Sequence, residues 1–337
     1  MVKACKYPAG GVKIGWQTVL RSKNVFGPYE YKVVMRQGDS PVNGPHQGAW
    51  IDTVTGEDWF IHFQDVYAAG RIAHLQPMCW KEDWPIIGVV KEGNDYGEPV
   101  LQYRKPDVGD AAETIGQTTV DEASDAFFND RLGLQWQWNA NPKKRWYEIK
   151  DENLLLTAVS TESGLPYGNV PNLLLQKWPA PEFTCVTKLH LKDLEEGDCA
   201  GVISMGMEYG LLEVKRDSTE LTLNFVKGVQ RFGKILEEST EETTIPVTKL
   251  EAAKTDVLYV KYEVKKTGTR DLSETEQGFP EETVTFFYSL DGETYEAAGQ
   301  MLSVPGRWVG VKNGVFCVRR QEGNSGILAV ENVEYSL

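Results

Sequence analysis

His46 combines a residue type and a position that could carry chemistry. It is one of only four histidines, and it lies between a Gly-Pro turn and the start of a strand, in the stretch NGPHQGAW at residues 43–50. A histidine in such a turn usually hydrogen-bonds its ring to the backbone. The alternative is a neutral imidazole presented to a metal ion, to the water bound by that ion, or to a substrate. Both interpretations stay open from these residues alone.

Arg71 and the tryptophans offer two further kinds of chemistry. Arg71 opens a strand next to a loop, as either a solvated surface arginine or a guanidinium directed at a carboxylate in a cleft. The ten tryptophans are either core residues of small β units or platforms for sugar rings, whose C–H groups pack against aromatic faces. Five of them fall in the first 84 residues: Trp16, Trp50, Trp59, Trp80 and Trp84.

Common catalytic and metal-binding motifs are missing from the sequence. It contains no P-loop, GxGxxG, GxSxG, HExxH or EF-hand pattern. The cysteines are odd in number, scattered and without a CxxC pair, which argues against a zinc site and against a disulfide framework. We expect most of them to be buried thiols. They are Cys5, Cys79, Cys185, Cys199 and Cys317.

Length and charge narrow the class of protein. The 337 residues are enough for two domains, each with its own core. With 35 Lys and Arg against 49 Asp and Glu, the net charge is −14, which argues against a nucleic-acid partner. No segment approaches the roughly 18 consecutive apolar residues that span a membrane. The N-terminus has a lysine at position 3 but no apolar run after it, so we do not expect a signal peptide.

Strand patterns dominate the chain, and helical periodicity is nearly absent. About ten strands in the last two thirds alternate in the manner of two stacked antiparallel sheets. The acidic run Leu236–Thr244 is predicted to be a solvated loop there. Residues 106–126 carry six acidic residues and no Lys or Arg, which indicates an exposed connection between two domains. Six strands are predicted in the first third: Gln17–Ser22, Tyr29–Gln37, Ala49–Thr53, Trp59–Gln64, Ile72–Gln76 and Ile86–Val90.

Three consecutive blocks together resemble the last part of the five-bladed β-propeller of glycoside hydrolase family 43. They are AGGVKIGWQTVLRSKNVFGPYE, NGPHQGAWIDTVTGEDWFIHFQD and GRIAHLQPMCWKEDWPIIG. Four later segments resemble the concanavalin A-like β-sandwich of many β-xylosidases in that family: LGLQWQWNANPKKRWYEI, NLLLQKW, FFYSLDGETYEAAG and GRWVGVKNGVFC. The resemblance implies an all-β chain. It would hold about one and a half blades of a five-bladed propeller over 1–105, an acidic linker over 106–122, and an antiparallel sandwich over 123–337.

The resemblance also implies an activity and roles for four residues. Members are inverting, exo-acting hydrolases of xylosidic or arabinofuranosidic linkages in plant polysaccharides, so xylo- or arabino-oligosaccharides are the expected partners. Full-length relatives are expected to be extracellular or periplasmic. His46 matches an axial histidine that faces a cation through water, with structural calcium as the candidate ion; no other cofactor is implied. Arg71, Trp16 and Gln47 match positions that bind substrate.

The catalytic carboxylates of the family have no counterpart in this sequence. The family uses an aspartate base, a second aspartate and a glutamate acid, with acid and base roughly 6.5–9.5 Å apart in inverting enzymes. The resemblance places all three before the segment at which this chain begins. We therefore expect a truncated chain without catalytic residues and without activity of its own. The early acids are expected to be solvated turn carboxylates, with Asp65 the one that most merits inspection; the others are Asp39, Asp52, Glu57, Asp58, Glu82 and Asp83.

Two other classes of function stay open. The chain could be a non-catalytic carbohydrate-binding module that uses the sandwich or the tryptophan-rich loops. It could also be an interaction protein, because an open propeller leaves exposed strand edges and apolar faces. Self-association, or a partner that completes the ring, would cover such surfaces.

Overall fold

The computed structural model describes residues 15–109, 123–162, 164–232, 238–270, 279–303 and 309–337. The chain divides into two compact units, Met1–Val66 with Arg71–Gln117, and Tyr67–Gly70 with Thr118–Leu337. The all-β prediction is confirmed, and the described helices are short 3₁₀ turns: Tyr67–Ala69, Lys144–Trp146, Tyr167–Asn169 and Ala252–Lys254. The described residues include no helix long and apolar enough to cross a membrane. Most of the predicted acidic linker lies outside the described residues.

The first unit contains two four-stranded sheets, in the orders β1-β2-β8-β7 and β3-β4-β5-β6. Its strands are Gln17–Arg21 (β1), Glu30–Met35 (β2), Ala49–Asp52 (β3), Asp58–Asp65 (β4), Arg71–Lys81 (β5), Trp84–Ile87 (β6), Val89–Val90 (β7) and Gly97–Glu98 (β8). The second sheet is antiparallel throughout. How many propeller blades these sheets represent stays a prediction, as do the boundaries of the two domains and the linker.

Five of the six strands predicted in the first third appear near their expected places, and the sixth is divided. The predicted Ile86–Val90 strand breaks at Gly88, whose φ of +84° is left-handed. A Cβ at Gly88 would lie 2.1 Å from the backbone oxygen of Glu98, so only glycine fits this crossing. The core of the unit is apolar and joins both sheets: Val19, Val34, Met35, Phe60, Met78, Trp84, Ile86 and Ile87.

The second unit is a sandwich of a seven-stranded sheet, ordered β10-β11-β23-β14-β19-β20-β21, and an eight-stranded sheet. The eight-stranded sheet has the order β18-β17-β16-β15-β22-β13-β9, with β12 beside β22. The strands of the two sheets together are Gln137–Trp138 (β9), Tyr147–Lys150 (β10), Asn153–Thr157 (β11), Val159–Ser160 (β12), Leu174–Lys177 (β13), Phe183–His190 (β14), Asp198–Met205 (β15), Glu208–Arg216 (β16), Glu220–Phe232 (β17), Glu238–Glu251 (β18), Val257–Arg270 (β19), Phe279–Ser289 (β20), Glu296–Leu302 (β21), Lys312–Arg319 (β22) and Ile327–Ser336 (β23).

The strand pattern of the sandwich agrees with the sequence except in one place. About ten strands were expected, and the described residues hold fifteen; ten have seven residues or more, and the other five have two to five. The prediction of a solvated loop at Leu236–Thr244 is wrong, because residues from Glu238 onward form β18 and pair with β17. This edge strand gains its backbone hydrogen bonds from β17, while the side chains of residues 241–244 face solvent. A strand held by one neighbour therefore needs no apolar face at this point.

Three cysteines of the sandwich behave as small apolar residues. Cys185, Cys199 and Cys317 are buried, as expected, whereas Cys79 in the first unit is exposed. Burial raises the pKa of the Cys185 thiol to about 12, and it raises the pKa of the other two as well. These thiols are therefore unreactive. Cys5 lies outside the described residues.

A buried ion pair joins two loops at one end of the sandwich. Arg319 Nη1 donates to Asp198 Oδ1 at 2.7 Å, with the two side chains 4% and 0% exposed. Asp198 Oδ2 accepts the backbone N–H groups of Glu195 and Gly326, both at 2.9 Å. Arg319 Nη2 donates to the carbonyl of Glu322 at 3.1 Å. One carboxylate therefore holds the loops before β15 and after β22.

Replacing Asp198 with alanine should strongly destabilise the sandwich, because Arg319 would keep a buried charge without its partner. We expect a loss of about 3–5 kcal/mol in the free energy of unfolding, measured by urea denaturation. Asp217→Ala is the control, since its exposed pair with Lys215 contributes at most about 1 kcal/mol. Equal losses in the two variants would contradict the role given to Asp198.

Candidate functional site

His46 lies in a buried turn of the first unit. Its side chain is only 4% exposed, and Nδ1 lies 2.5 Å from the carbonyl oxygen of Gly44. A carbonyl can only accept a hydrogen bond, so Nδ1 carries a proton, and Nε2 is an acceptor whenever the ring is neutral. Gly15 packs so closely on this ring that a Cβ there would lie 2.4 Å from Nδ1. One ring nitrogen therefore serves the turn, and Nε2 is the nitrogen that could accept a hydrogen bond from a ligand or a bound water.

Phe63 brings His46 and Arg71 together. The Phe63 ring meets the His46 ring edge-on, with centroids 5.1 Å apart and planes at 61°. The guanidinium carbon of Arg71 lies 4.1 Å from the centroid of the same phenylalanine ring. Cation–π contacts of this kind contribute about 0.5–1 kcal/mol at exposed sites and orient the guanidinium plane. Two candidates that are 25 positions apart in the sequence thus share one aromatic neighbour.

The strand pair that carries Phe63 and Arg71 also anchors the loop of His46. In the register of β4 and β5, Phe63 faces Ala73 and Asp65 faces Arg71. Asn43 Nδ2 donates to the backbone oxygen of Asp65 at 3.2 Å, and Gln64 Nε2 donates to that of Pro41 at 3.1 Å. The 41–46 turn is therefore tied to the end of β4, next to Arg71.

Trp16 and Gln47 flank this cluster along the chain. Trp16 is half-buried, directly before β1, and follows the glycine that packs on His46. The guanidinium carbon of Arg36 lies 5.3 Å from the Trp16 ring and 5.4 Å from that of Tyr96. Gln47 follows His46 with an exposed side chain and a left-handed backbone, at φ +54°. Their roles in substrate binding stay predictions.

Sequence reasoning missed two histidines beside this cluster. The rings of His62 and His74 stack, with centroids 5.6 Å apart and planes at 22°. His62 is 3% exposed, and its Nε2 has no hydrogen-bond partner among the described residues. Burial, with smaller contributions from the neighbouring His74 and His46, lowers the pKa of His62 to about 4. The two histidines face each other in neighbouring strands, and the sequence does not show this because it depends on the strand register.

Three of the early carboxylates, Asp39, Glu57 and Asp58, bind neighbouring donors instead of being fully solvated. A hydrogen bond from Arg104 and the N–H of Asp107 hold the pKa of Glu57 down at about 2, and Lys91 lowers the pKa of Asp39. Asp58 accepts the indole N–H groups of Trp50 and Trp80, at 2.7 and 2.8 Å. A general acid needs a raised pKa, so the lowered values of Glu57 and Asp39 do not suit that role.

The tryptophans of the first unit divide between core and surface. Trp59 and Trp84 are buried at 3% and 8% exposure, whereas Trp50 and Trp80 are each 42% exposed. The described residues contain no group of three or more His, Cys, Asp or Glu side chains that could hold a metal ion.

The second unit matches a known protein family. Residues 124–336 match the model of the β-xylosidase C-terminal concanavalin A-like domain of glycoside hydrolase family 43. The chain belongs to this family. The sandwich is therefore of the concanavalin A-like type, as the sequence resemblance implied.

Similar proteins match nearly the whole chain. It is 35% identical over 311 residues to a putative β-xylosidase of Xylanibacter ruminicola, covering 91% of this chain and 51% of that protein. It is 26% identical over 333 residues to a β-xylosidase of Formosa agariphila, covering 95% and 52%. The chain thus spans about half the length of the curated relatives it matches.

Solved structures of family 43 share the fold. A bifunctional GH43-CE protein of Bacteroides eggerthii superposes with a TM-score of 0.68 and 25% identity over 98% of this chain and 38% of its own. An engineered GH43 enzyme gives a TM-score of 0.75 and 21% identity over 96% and 61%. A xylan β-1,4-xylosidase of Bacillus halodurans gives 0.68 and 17% over 96% and 60%.

Acid should destabilise the first unit through His62. Its folded pKa lies below the unfolded value of about 6.5, so this contribution to stability is present at neutral pH and lost as the pH falls from 6.5 towards 4. Between pH 7 and pH 5 we expect a loss of about 2 kcal/mol from this group. His62→Leu should show a correspondingly smaller loss in urea denaturation at the two pH values. His190→Gln, in the sandwich, should keep the full loss; an unchanged pH dependence in His62→Leu would contradict the assignment.

Proposed function

We propose that this chain contributes to glycoside hydrolysis of the family 43 type, at xylosidic or arabinofuranosidic linkages of plant polysaccharides. The observation that carries the proposal is the cluster of His46, Phe63 and Arg71 in a chain of this family. Relatives that match most of the chain are named β-xylosidases. Xylo- and arabino-oligosaccharides are accordingly the substrates we propose.

The cluster supplies binding groups for a sugar. Arg71 can donate two parallel hydrogen bonds to a carboxylate or to vicinal hydroxyl groups, and Phe63 holds its guanidinium plane. His46 offers Nε2 as an acceptor, because Nδ1 is engaged with Gly44. Trp16 offers a half-buried aromatic face, and the Gln47 amide offers a donor and an acceptor. We propose that these groups orient substrate rather than transfer protons.

Residues 1–337 on their own should not turn over glycosides. Of the early acids, the two with shifted pKa values, Glu57 and Asp39, are held ionised. Asp58 is engaged by two indole N–H groups. An inverting mechanism needs one protonated carboxylic acid and one carboxylate base on opposite faces of the sugar.

Assays of the 337-residue chain with nitrophenyl β-xyloside and α-arabinofuranoside should give no hydrolysis above background. Arg71→Ala is the diagnostic variant, and Arg131→Ala, with an exposed guanidinium on the second unit, is its control. Contaminating activity would persist equally in both variants. Turnover that Arg71→Ala abolishes and Arg131→Ala leaves intact would contradict this proposal.

We propose no directly coordinated calcium ion among the described residues. Calcium takes six to eight oxygen ligands, and no suitable cluster of carboxylates occurs among these residues. We propose only a water-mediated contact between His46 Nε2 and a cation. Excess chelator should then leave the unfolding temperature unchanged, and a clear fall reversed by calcium would overturn this.

Carbohydrate binding without catalysis is the second candidate, and the first unit favours it over the sandwich. Asp58 fixes the exposed indoles of Trp50 and Trp80, which suits sugar stacking. The outer face of the eight-stranded sheet is instead covered by the segment around Tyr167. Its hydroxyl donates to Glu213, and its N–H donates to Glu242 at 2.6 Å. Titration with xylo-oligosaccharide should then quench tryptophan fluorescence. Unchanged fluorescence at millimolar ligand would rule out this candidate.

Self-association is the third candidate. Ile51, Ile61 and Leu75 are 37–43% exposed and lie on one face of the β3-β4-β5 sheet. An open apolar sheet face favours association with a second chain. Light scattering that shows a monomer at all concentrations would count against it.

A further inference from the structure

A groove of about 630 Å³ lies at the end of β1 in the first unit. Its volume is within the range of small-ligand sites. The backbone of Gly27 and Pro28 forms part of its wall. Arg21 is the last residue of β1 and Trp16 precedes that strand, so the groove lies about 16 Å along the strand from Trp16. The polar side chains of the lining are Arg21, Ser22, Lys23, Asn24, Glu30 and Asp83.

Arg21 is held in one orientation before any ligand arrives. Its Nε and Nη2 contact Glu30 Oε2 at 3.0 and 2.9 Å, and Nη1 donates to the carbonyl of Glu82 at 3.0 Å. Its guanidinium carbon also lies 4.0 Å from the Trp84 ring centroid. A fixed guanidinium loses little conformational entropy when it binds a hydroxyl group.

The loop above the groove is ordered by its own hydrogen bonds. Asn24 Oδ1 accepts the N–H of Phe26 at 3.0 Å, and the Asn24 carbonyl accepts that of Gly27 at 2.9 Å. The Tyr29 hydroxyl donates to the carbonyl of Val25 at 2.5 Å. Phe26 is nonetheless 93% exposed, next to the groove wall. The hydrogen-bonded loop thus presents an aromatic ring to solvent one residue before Gly27, which lines the groove.

Asp83 occupies a backbone conformation that favours glycine. Glu82 and Asp83 both have positive φ, +52° and +62°, in the turn between β5 and β6. Asn-Gly is the usual choice for such a two-residue turn, so a carboxylate here carries a conformational cost. Within the described part of the chain, neither Asp83 nor Lys23 has a hydrogen-bond or ion-pair partner. Both side chains are thus available to a ligand.

We propose that this groove binds an uncharged, polyhydroxylated ligand, a short segment of a neutral polysaccharide. Vicinal hydroxyl groups both donate and accept, which suits a lining that alternates cations, carboxylates and an amide. Two carboxylates in the lining, on a chain of net charge −14, disfavour a polyanion. Phe26 is exposed and precedes Gly27 of the groove wall in the chain, so a longer ligand could stack on its ring. The choice of xylan as the polysaccharide rests on the proposed function.

Calorimetric titration with xylotetraose tests the groove. Wild-type chain should bind it, and Lys23→Ala combined with Asp83→Gly should weaken binding about tenfold or more, as expected for lost hydrogen bonds to charged groups. Glycine suits the positive φ of position 83, so this variant should fold at least as well as the wild type. The matched control is Lys105→Ala with Asp52→Asn, which removes exposed charges of the same unit and should leave affinity unchanged.

Two further titrations separate the possible outcomes. Absence of binding by the wild type, or equal binding by the groove variant, would overturn the inference. So would tighter binding of trigalacturonate, an acidic oligosaccharide, than of xylotetraose. Binding lost in Arg71→Ala but kept in the groove variant would place the sugar at the Phe63 cluster, overturning the groove while leaving the proposed function intact.

Discussion

The pairing of β4 with β5 is the interaction on which the candidate site depends. It sets Asp65 opposite Arg71, and it directs Phe63 towards both Arg71 and His46. Successive side chains of a strand point to opposite faces, so a slip of one residue would turn Phe63 away and leave the two candidates without a common neighbour. The hydrogen bond from Asn43 to the carbonyl of Asp65 couples the loop of His46 to the same register.

The polar side chains of the two units have different roles. In the sandwich, the pair of Asp198 and Arg319 is enclosed, and both residues also hydrogen-bond to backbone groups, so the pair holds loops together. In the first unit, Arg71 and Gln47 are exposed, and His46 is bonded to the turn through Nδ1. The first unit therefore holds the residues that we propose for sugar recognition, and the second unit matches the concanavalin A-like domain of glycoside hydrolase family 43.

Local patterns were enough to predict much of the fold and part of the site. Short alternating strands and turn residues identify most elements, and His46 and Arg71 stand out because both follow turns at the start of strands. Phe63 could not be chosen, since an aromatic residue in an alternating strand has the same pattern whichever face it occupies. The pairing of His62 with His74 depends on strand register. The start of β18 was not predicted as a strand because exposed residues at a sheet edge have the composition of a loop.

The most direct test of the account is the contact between Phe63 and its two neighbours in solution. In protein with labelled phenylalanine, histidine and arginine, nuclear Overhauser effects should connect the Phe63 ring to the His46 ring and to the side-chain methylenes of Arg71. Both effects should vanish in Phe63→Leu, which assigns them. Their absence in the wild-type chain would contradict the claim that one phenylalanine contacts both candidate residues.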